Sequence, residues 1–148
     1  YFVKLFKRRW YAVVKFAEPV GKFFTLAFDR IVYLELSDEK FVYDKGFDPI
    51  GWFRDSYGIV KDSDIPVESV VIRAFGKEAN YLRDLPFHHS QREIYREEEY
   101  SDFELTLSPT SDFWTPLLSR GAAIKVMHPQ WLADEIRRAH LDAAKLYE

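Results

Sequence analysis

Cysteine is absent from this chain. That removes disulfides, thiolate nucleophiles and cysteine-based zinc sites, and it fits a reducing compartment such as the cytoplasm. Long apolar runs are absent too. None approaches the roughly 18 residues that a spanning helix needs, so no membrane segment is expected. No signal-peptide pattern opens the sequence, and Tyr1 already reads as part of a strand, so the chain is read as a segment of a longer protein. With only six glycines, there is no glycine loop to cradle a phosphate. A nucleophile elbow, a His-x-Glu-x-x-His metal spacing and a catalytic carboxylate pair are also missing. Neither enzymatic activity nor a cofactor is expected.

What is present is a core. Hydrophobic residues make up 47% of the chain and aromatics 18%, which excludes the low-hydrophobicity, high-charge regime of disorder. The formal net charge of −3 conceals an asymmetry. Residues 1–30 carry seven Lys/Arg against two Asp/Glu, a balance of +5; residues 31–148 carry fourteen against twenty-two, a balance of −8. A uniformly basic nucleic-acid binder is excluded, whereas a local basic patch is not.

The pattern predicts strands over Phe2–Phe6 and Trp10–Phe16 around a tight turn at Lys7-Arg8. A turn follows at Glu18-Pro19-Val20-Gly21, then a long β run over Phe23–Leu36 that bends near Asp29-Arg30. A short helix is expected near Asp48–Asp55, with Asp48 as cap and Pro49 at the first helical position. The polar stretch Lys61–Pro66 marks a boundary between a domain of residues 1–62 and one of residues 63–148. In the second part, strands are predicted at Glu68–Phe75, Gln91–Tyr100, Asp102–Leu107 and Ala122–Met127. Helices are predicted at Lys77–Asp84 and Ser111–Ser119, the latter carrying Pro116 inside it. A final helix opens at Pro129, with Leu132, Ile136, Ala139, Ala143 and Leu146 on one face. The order βαββαβ plus a helix is that of the ferredoxin-like split βαβ arrangement. The expected class is therefore α+β.

Four stretches are weighed for chemistry. In KRRWYAVV, alternation puts Arg9, Tyr11 and Val13 on one strand face and Trp10, Ala12 and Val14 on the other. If Trp10 is core, Arg9 and Tyr11 stand together outside, where a guanidinium can grip a phosphate and a phenol can stack a base. The alternative is a solvated strand face. The step Asp29-Arg30 reads either as an ion pair fixing the strand bend around a half-buried arginine or as an anion-binding arginine. His88-His89-Ser90-Gln91 reads as hydrogen bonding in a turn, because adjacent strand residues point apart and cannot easily share a metal. Glu97-Glu98-Glu99 reads as a solvated strand end or hairpin.

Arg9-Trp10-Tyr11-Ala12, then Leu26-Ala27-Phe28-Asp29-Arg30-Ile31, resemble the two hallmarks of bacterial WYL-domain proteins. Tyr57-Gly58-Ile59, Leu85-Pro86-Phe87-His88-His89-Ser90-Gln91 and Leu117-Leu118-Ser119-Arg120-Gly121 resemble the C-terminal extension that accompanies many of them. The resemblance implies a partial Sm/SH3-like small β-barrel followed by the ferredoxin-like extension. It also implies a ligand-sensing regulatory module of a transcription factor that binds a nucleotide or single-stranded oligonucleotide. Double-stranded operator DNA would be read only through a helix-turn-helix, which this sequence does not include. Carried over by position, the ligand residues are Arg9, Tyr11 and Arg30. Two further cationic positions, two and five residues before Asp29, hold Ala27 and Phe24 here, and Lys22 stands as a partial substitute. An apolar face on the final helix and an unpaired strand edge invite pairing with another chain, so a homodimer is expected, and dimerisation alone is the alternative role.

Overall fold

The computed structural model of the chain describes residues 1–16 and 22–148. The turn expected at Glu18–Gly21 lies outside the described residues. Two compact units are present, Tyr1–Arg54 and Asp55–Glu148, and the chain is α+β, with two separate antiparallel sheets. The division falls before the polar stretch 61–66 because residues 55–60 are tied into the second unit. Ser56 bridges to Ser108, the Ser108 N–H donates to the Asp55 carbonyl at 2.8 Å, and the Asp112 carboxylate accepts from the N–H groups of Ile59 and Val60 at 2.8 and 3.1 Å. Among the described residues, no helix is long and apolar enough to cross a membrane.

The first unit is a three-stranded meander of β1 (Phe2–Phe6), β2 (Arg9–Lys15) and β3 (Phe23–Ala27). Lys7 and Arg8 form the two-residue turn with φ of 47° and 65°. Positive φ at both positions is what a turn matching the right-handed strand twist requires, although side chains other than Asn and Gly rarely adopt it. The expected strand over 23–36 stops at Ala27, where a 3-10 turn at Phe28–Arg30 follows. Beyond it Val32, Leu34 and Leu36 are almost fully exposed. Their β-forming composition is overridden because among the described residues no neighbouring strand takes up their backbone hydrogen bonds. Helix α1 (Pro49–Trp52) is shorter than expected, but it starts as expected: the Asp48 side chain accepts from Ile50 N–H at 3.0 Å, and Pro49 opens the helix.

One face of this meander is covered. Rings of Tyr1, Phe23, Tyr43, Phe47 and Trp52 pack together, with Phe23 and Phe47 stacked at 4.4 Å. Phe53 lies against Phe2, and the Lys4 ammonium sits 3.7 Å from its ring centroid. Tyr11 and Val13 are buried on this face.

The second unit runs β4 (Glu68–Phe75), α2 (Lys77–Asp84), β5 (Arg92–Arg96), β6 (Tyr100–Leu107), α3 (Ser111–Ser119), β7 (Ile124–His128), α4 (Gln130–Lys145). The sheet order is β5-β6-β4-β7 with every pair antiparallel. The first and third strands of the unit therefore lie at the centre, which is the ferredoxin-like order expected from the sequence. Alternation along β4 sends Val70, Ile72 and Ala74 to the helix side, where they meet Leu82, Phe103, Leu105, Phe113, Leu117 and Leu132 in one core.

Two expectations shift. The β5–β6 turn lies at residues 97–99 rather than at Ser101, closed by the Glu97 N–H donating to Tyr100 O at 2.8 Å. Ser101 is buried within β6. Three adjacent carboxylates keep their hydration in the turn, which a paired strand would deny them. The apolar stripe of α4 buries Leu132 and Ile136, but its last turn stands clear of the core, with Ala143 exposed, as are Leu146 and Tyr147 past the helix end.

Glu93 joins α2 to the sheet edge. Its carboxylate accepts from Arg83 at 2.7 Å and from Arg96 at 2.7 Å, and Arg83 also donates to Ser101 Oγ at 2.8 Å. Hydrogen bonds from Arg96 and then Arg83 hold the Glu93 carboxyl well below the usual carboxylate range. A carboxyl with a depressed folded pKa contributes stability that is full above the unfolded glutamate value, about 4.3, and declines as pH falls below it. The urea midpoint of the second unit should therefore fall between pH 5 and pH 2.5, and Glu93→Gln should flatten that fall. An unchanged slope in the variant would remove Glu93 from the account.

Candidate functional site

The basic cluster of the first unit follows from strand register. Tyr11 pairs with Ala27 across β2 and β3. Extending that antiparallel register by two residues on each strand sets Arg9 opposite Asp29. Arg9 Nε donates to Asp29 Oδ2 at 3.1 Å, and its Nη2 donates to the same oxygen. Both side chains are about half exposed, at 45% and 54%. The Arg9 hydrogen bonds pull the Asp29 carboxyl below its ordinary value, and Asp29 raises Arg9 in turn. Arg30 is next in the same 3-10 turn, is exposed, and adds its charge to the field on Asp29. One guanidinium, Arg9, is thus paired with the carboxylate, and a second, Arg30, adds a weaker field. Lys7 and Arg8 stand in the hairpin turn that leads into Arg9.

The structure corrects the expected faces of β2. Trp10 is 51% exposed and Tyr11 only 9%. Both faces of RWYAVVK are apolar enough to be core, so alternation alone could not choose. The aromatic cluster that includes Phe53 packs on the Tyr11–Val13 side and decides it. Tyr11 consequently offers no open ring face, although its hydroxyl lies close enough to act on Arg9. Arg9 shares the Tyr11 face yet stays exposed because it begins the strand.

Arg30 is exposed rather than half-buried, and the ion pair at the strand bend is made by Asp29 with Arg9 instead. Arg9, Tyr11 and Arg30 come together. Lys22 does not join them: it precedes β3, whereas Asp29 follows it, a span of roughly 20 Å along the strand at about 3.3 Å per residue. Ala27 is buried opposite Tyr11, and Phe24 lies on the other face against Phe16 at 4.9 Å.

That other face was not anticipated. Val3, Leu5, Trp10, Phe24 and Leu26 are all 36–55% exposed on it, and register joins them across the three strands: Leu5 faces Trp10, and Val3 and Leu26 flank Ala12. The sequence signal was the double apolar alternation of β1 and β3, each of which has one face too many for a one-sided sheet.

In the second unit, His88 is buried, with Nδ1 2.7 Å from Ser90 Oγ. Ser90 Oγ donates to the Thr106 carbonyl at 3.0 Å and accepts from the Thr106 N–H at 2.8 Å. The motif ties a turn to β6, as the sequence implied.

Residues 66–144, more than half of the chain, match the family model described as the WCX domain. They span all of β4 to β7 and nearly all of α4. No curated protein matches the chain.

Proposed function

The chain belongs to the WCX-domain family, a WYL-associated C-terminal domain, and from that premise we propose that it is the ligand-sensing regulatory part of a bacterial cytoplasmic transcription factor. In this reading the first unit binds a nucleotide or single-stranded oligonucleotide through Arg9 and Arg30, and occupancy alters a homodimer that carries the DNA-reading domains. The observation that carries it is the pairing of the exposed Arg9 guanidinium with one half-exposed carboxylate, Asp29, at a strand end, with the exposed Arg30 next to that carboxylate in the chain. A phosphate can take the place of Asp29 on Arg9 and gain Arg30 as a second donor. No catalysis is assigned to the chain.

The test is titration with a labelled single-stranded oligonucleotide at several salt concentrations. Arg30→Ala and Arg9→Ala should each weaken binding about ten-fold or more, since a charge-assisted contact is worth roughly 1.5–3 kcal/mol, and each should flatten the salt dependence. Asp29→Asn should strengthen binding several-fold, because it removes the internal competitor while leaving the strand end hydrogen-bonded. Weaker binding in Asp29→Asn would mean that the carboxylate positions Arg9 rather than competes for it.

A second reading, an interaction module with no small ligand, is favoured by the open apolar face of β1–β3. Exposed apolar patches of this kind mark association surfaces. Under it, neither arginine variant changes any binding, and self-association in sedimentation is the function left.

A further inference from the structure

The first unit carries a nearly bare apolar stretch after its 3-10 turn, Ile31-Val32-Tyr33-Leu34-Glu35-Leu36-Ser37. Val32 is 100% exposed, Tyr33 75%, Leu34 82% and Leu36 99%. The chain enters it in an extended conformation, with φ −75° and ψ 117° at Ile31. Among the described residues, no backbone N–H or carbonyl from Val32 to Leu36 is hydrogen-bonded. A β-branched and aromatic run with its backbone unpaired on both edges is a strand that lacks a partner.

The sequence around Leu34 indicates which strand fits. Laid antiparallel on a second copy of itself, with Leu34 opposite Leu34, the segment pairs all seven extended residues. Val32 then stands opposite Leu36, Tyr33 opposite Glu35 and Ile31 opposite Ser37, each pair formed twice. Arg30 and Asp38 flank the extended residues and meet at both ends. Both are exposed, and Asp38 is paired with no cation among the described residues. Opposite residues share a face, so Val32, Leu34 and Leu36 of the two copies make one apolar face, closed at each end by an ion pair. The Tyr33 hydroxyl, which donates to Glu35 Oε2 at 3.0 Å within the chain, finds the same kind of acceptor across the strands. A step of one residue in either direction sets the Glu35 carboxylate against Val32 or Leu34 instead.

We propose that residues 31–37 pair antiparallel with the same residues of a second copy of this chain, in a two-fold strand interface centred on Leu34. Self-complementarity is what selects this occupant. In a two-fold contact residue i must suit residue j while j suits i, and this segment meets that condition in charge and in polarity. The inference rests on the homodimer of the proposed function and gives it a surface. A two-stranded ribbon is by itself marginal, so the dimer should be weak and dependent on concentration.

The test uses the full chain without any oligonucleotide. Sedimentation over a range of concentrations should show a monomer–dimer equilibrium. Arg30→Asp and Asp38→Arg each bring like charges together at both ends and should weaken association about ten-fold. An equal mixture of the two variants restores opposite charges in the mixed dimer, as does the doubly reversed chain, and both should associate as the parent does. Because the chain has no cysteine, Leu34→Cys introduces one thiol that faces its own copy. Cα atoms directly opposite in an antiparallel pair lie about 4.5–5.5 Å apart, within the span of a disulfide. With diamide as oxidant, Leu34→Cys should form a covalent dimer at least about ten-fold faster than Val32→Cys, whose two thiols lie on opposite sides of the centre. A parent dimer that the charge variants leave untouched, with both cysteine chains crosslinking equally, would put the homodimer on another surface and overturn this inference alone. A parent that stays monomeric, again with equal crosslinking, would overturn the homodimer as well.

Discussion

Phe103→Ala should destabilise the second unit by about 3–5 kcal/mol, the range for removing a fully buried phenyl ring. Phe103 is 1% exposed on a central strand, opposite Ile72 on one side and Glu93 on the other. Its ring meets side chains contributed by the sheet and by the helices behind it, so no single element can move in to fill the space. The cavity term therefore adds to the transfer term and does not relax away. Phe103→Leu keeps most of the volume and should cost much less. The measurement is urea unfolding followed through the second unit's transition, with the slope checked for constancy. A loss below about 1.5 kcal/mol for the alanine variant would place the site among those that collapse readily.

The second large effect is expected at Asp112. Its Oδ2 accepts from the N–H groups of both Ile59 and Val60, while Oδ1 accepts from the Thr110 hydroxyl at 2.7 Å. It also stands in the first turn of α3, where a negative charge meets the positive end of the helix. Asp112→Ala strips all of these at once and leaves two backbone donors without their partner. Hydrogen bonds to charged groups contribute roughly 1.5–3 kcal/mol each. Allowing for partial exposure, a combined loss of about 2–3 kcal/mol is expected. Asp112→Asn retains one acceptor and should lose about half as much. Residues 55–60 should become the preferred site of limited proteolysis in the alanine variant, and a cleavage pattern like the parent's would show that other contacts hold the segment.

Much of the second unit was legible because each level agreed. Over Glu68–Phe75 the positions Val70, Ile72 and Ala74 supply one wholly apolar, buried face, and the observed strand has the predicted ends. Lys77–Asp84 and Ser111–Ser119 also match end to end, the latter despite Pro116. What failed there was local competition. The turn was set at Ser101, although Glu97–Glu99, read as a solvated strand end or hairpin, is where charge repulsion and hydration put it. The first unit was harder because its strands are apolar on both faces. Period-two alternation then specifies that a strand exists but not which side is inside, and the assignment of Trp10 and Tyr11 inverted. Arg9 and Arg30 were legible as cations; the partner that holds Arg9 was not, because the pair depends on a register fixed through Tyr11 and Ala27. The ring contacts of Tyr100 on β6 with Phe75 on β4 and Tyr95 on β5 were invisible for a similar reason, since they meet only after the sheet order is known.

Asp29 has a consequence beyond its ion pair. Tethered by the strand register within reach of Arg9, it behaves as an anion at a fixed effective concentration, in the millimolar range typical of short tethers. A free monophosphate at micromolar levels cannot match that occupancy by charge alone. On the proposed function a chain of phosphates could, because with one group on Arg30 the next would itself be tethered and compete on equal terms. On that same reading the carboxylate would set a threshold, so that the basic strand end would discriminate by the valency of an anion more than by its identity.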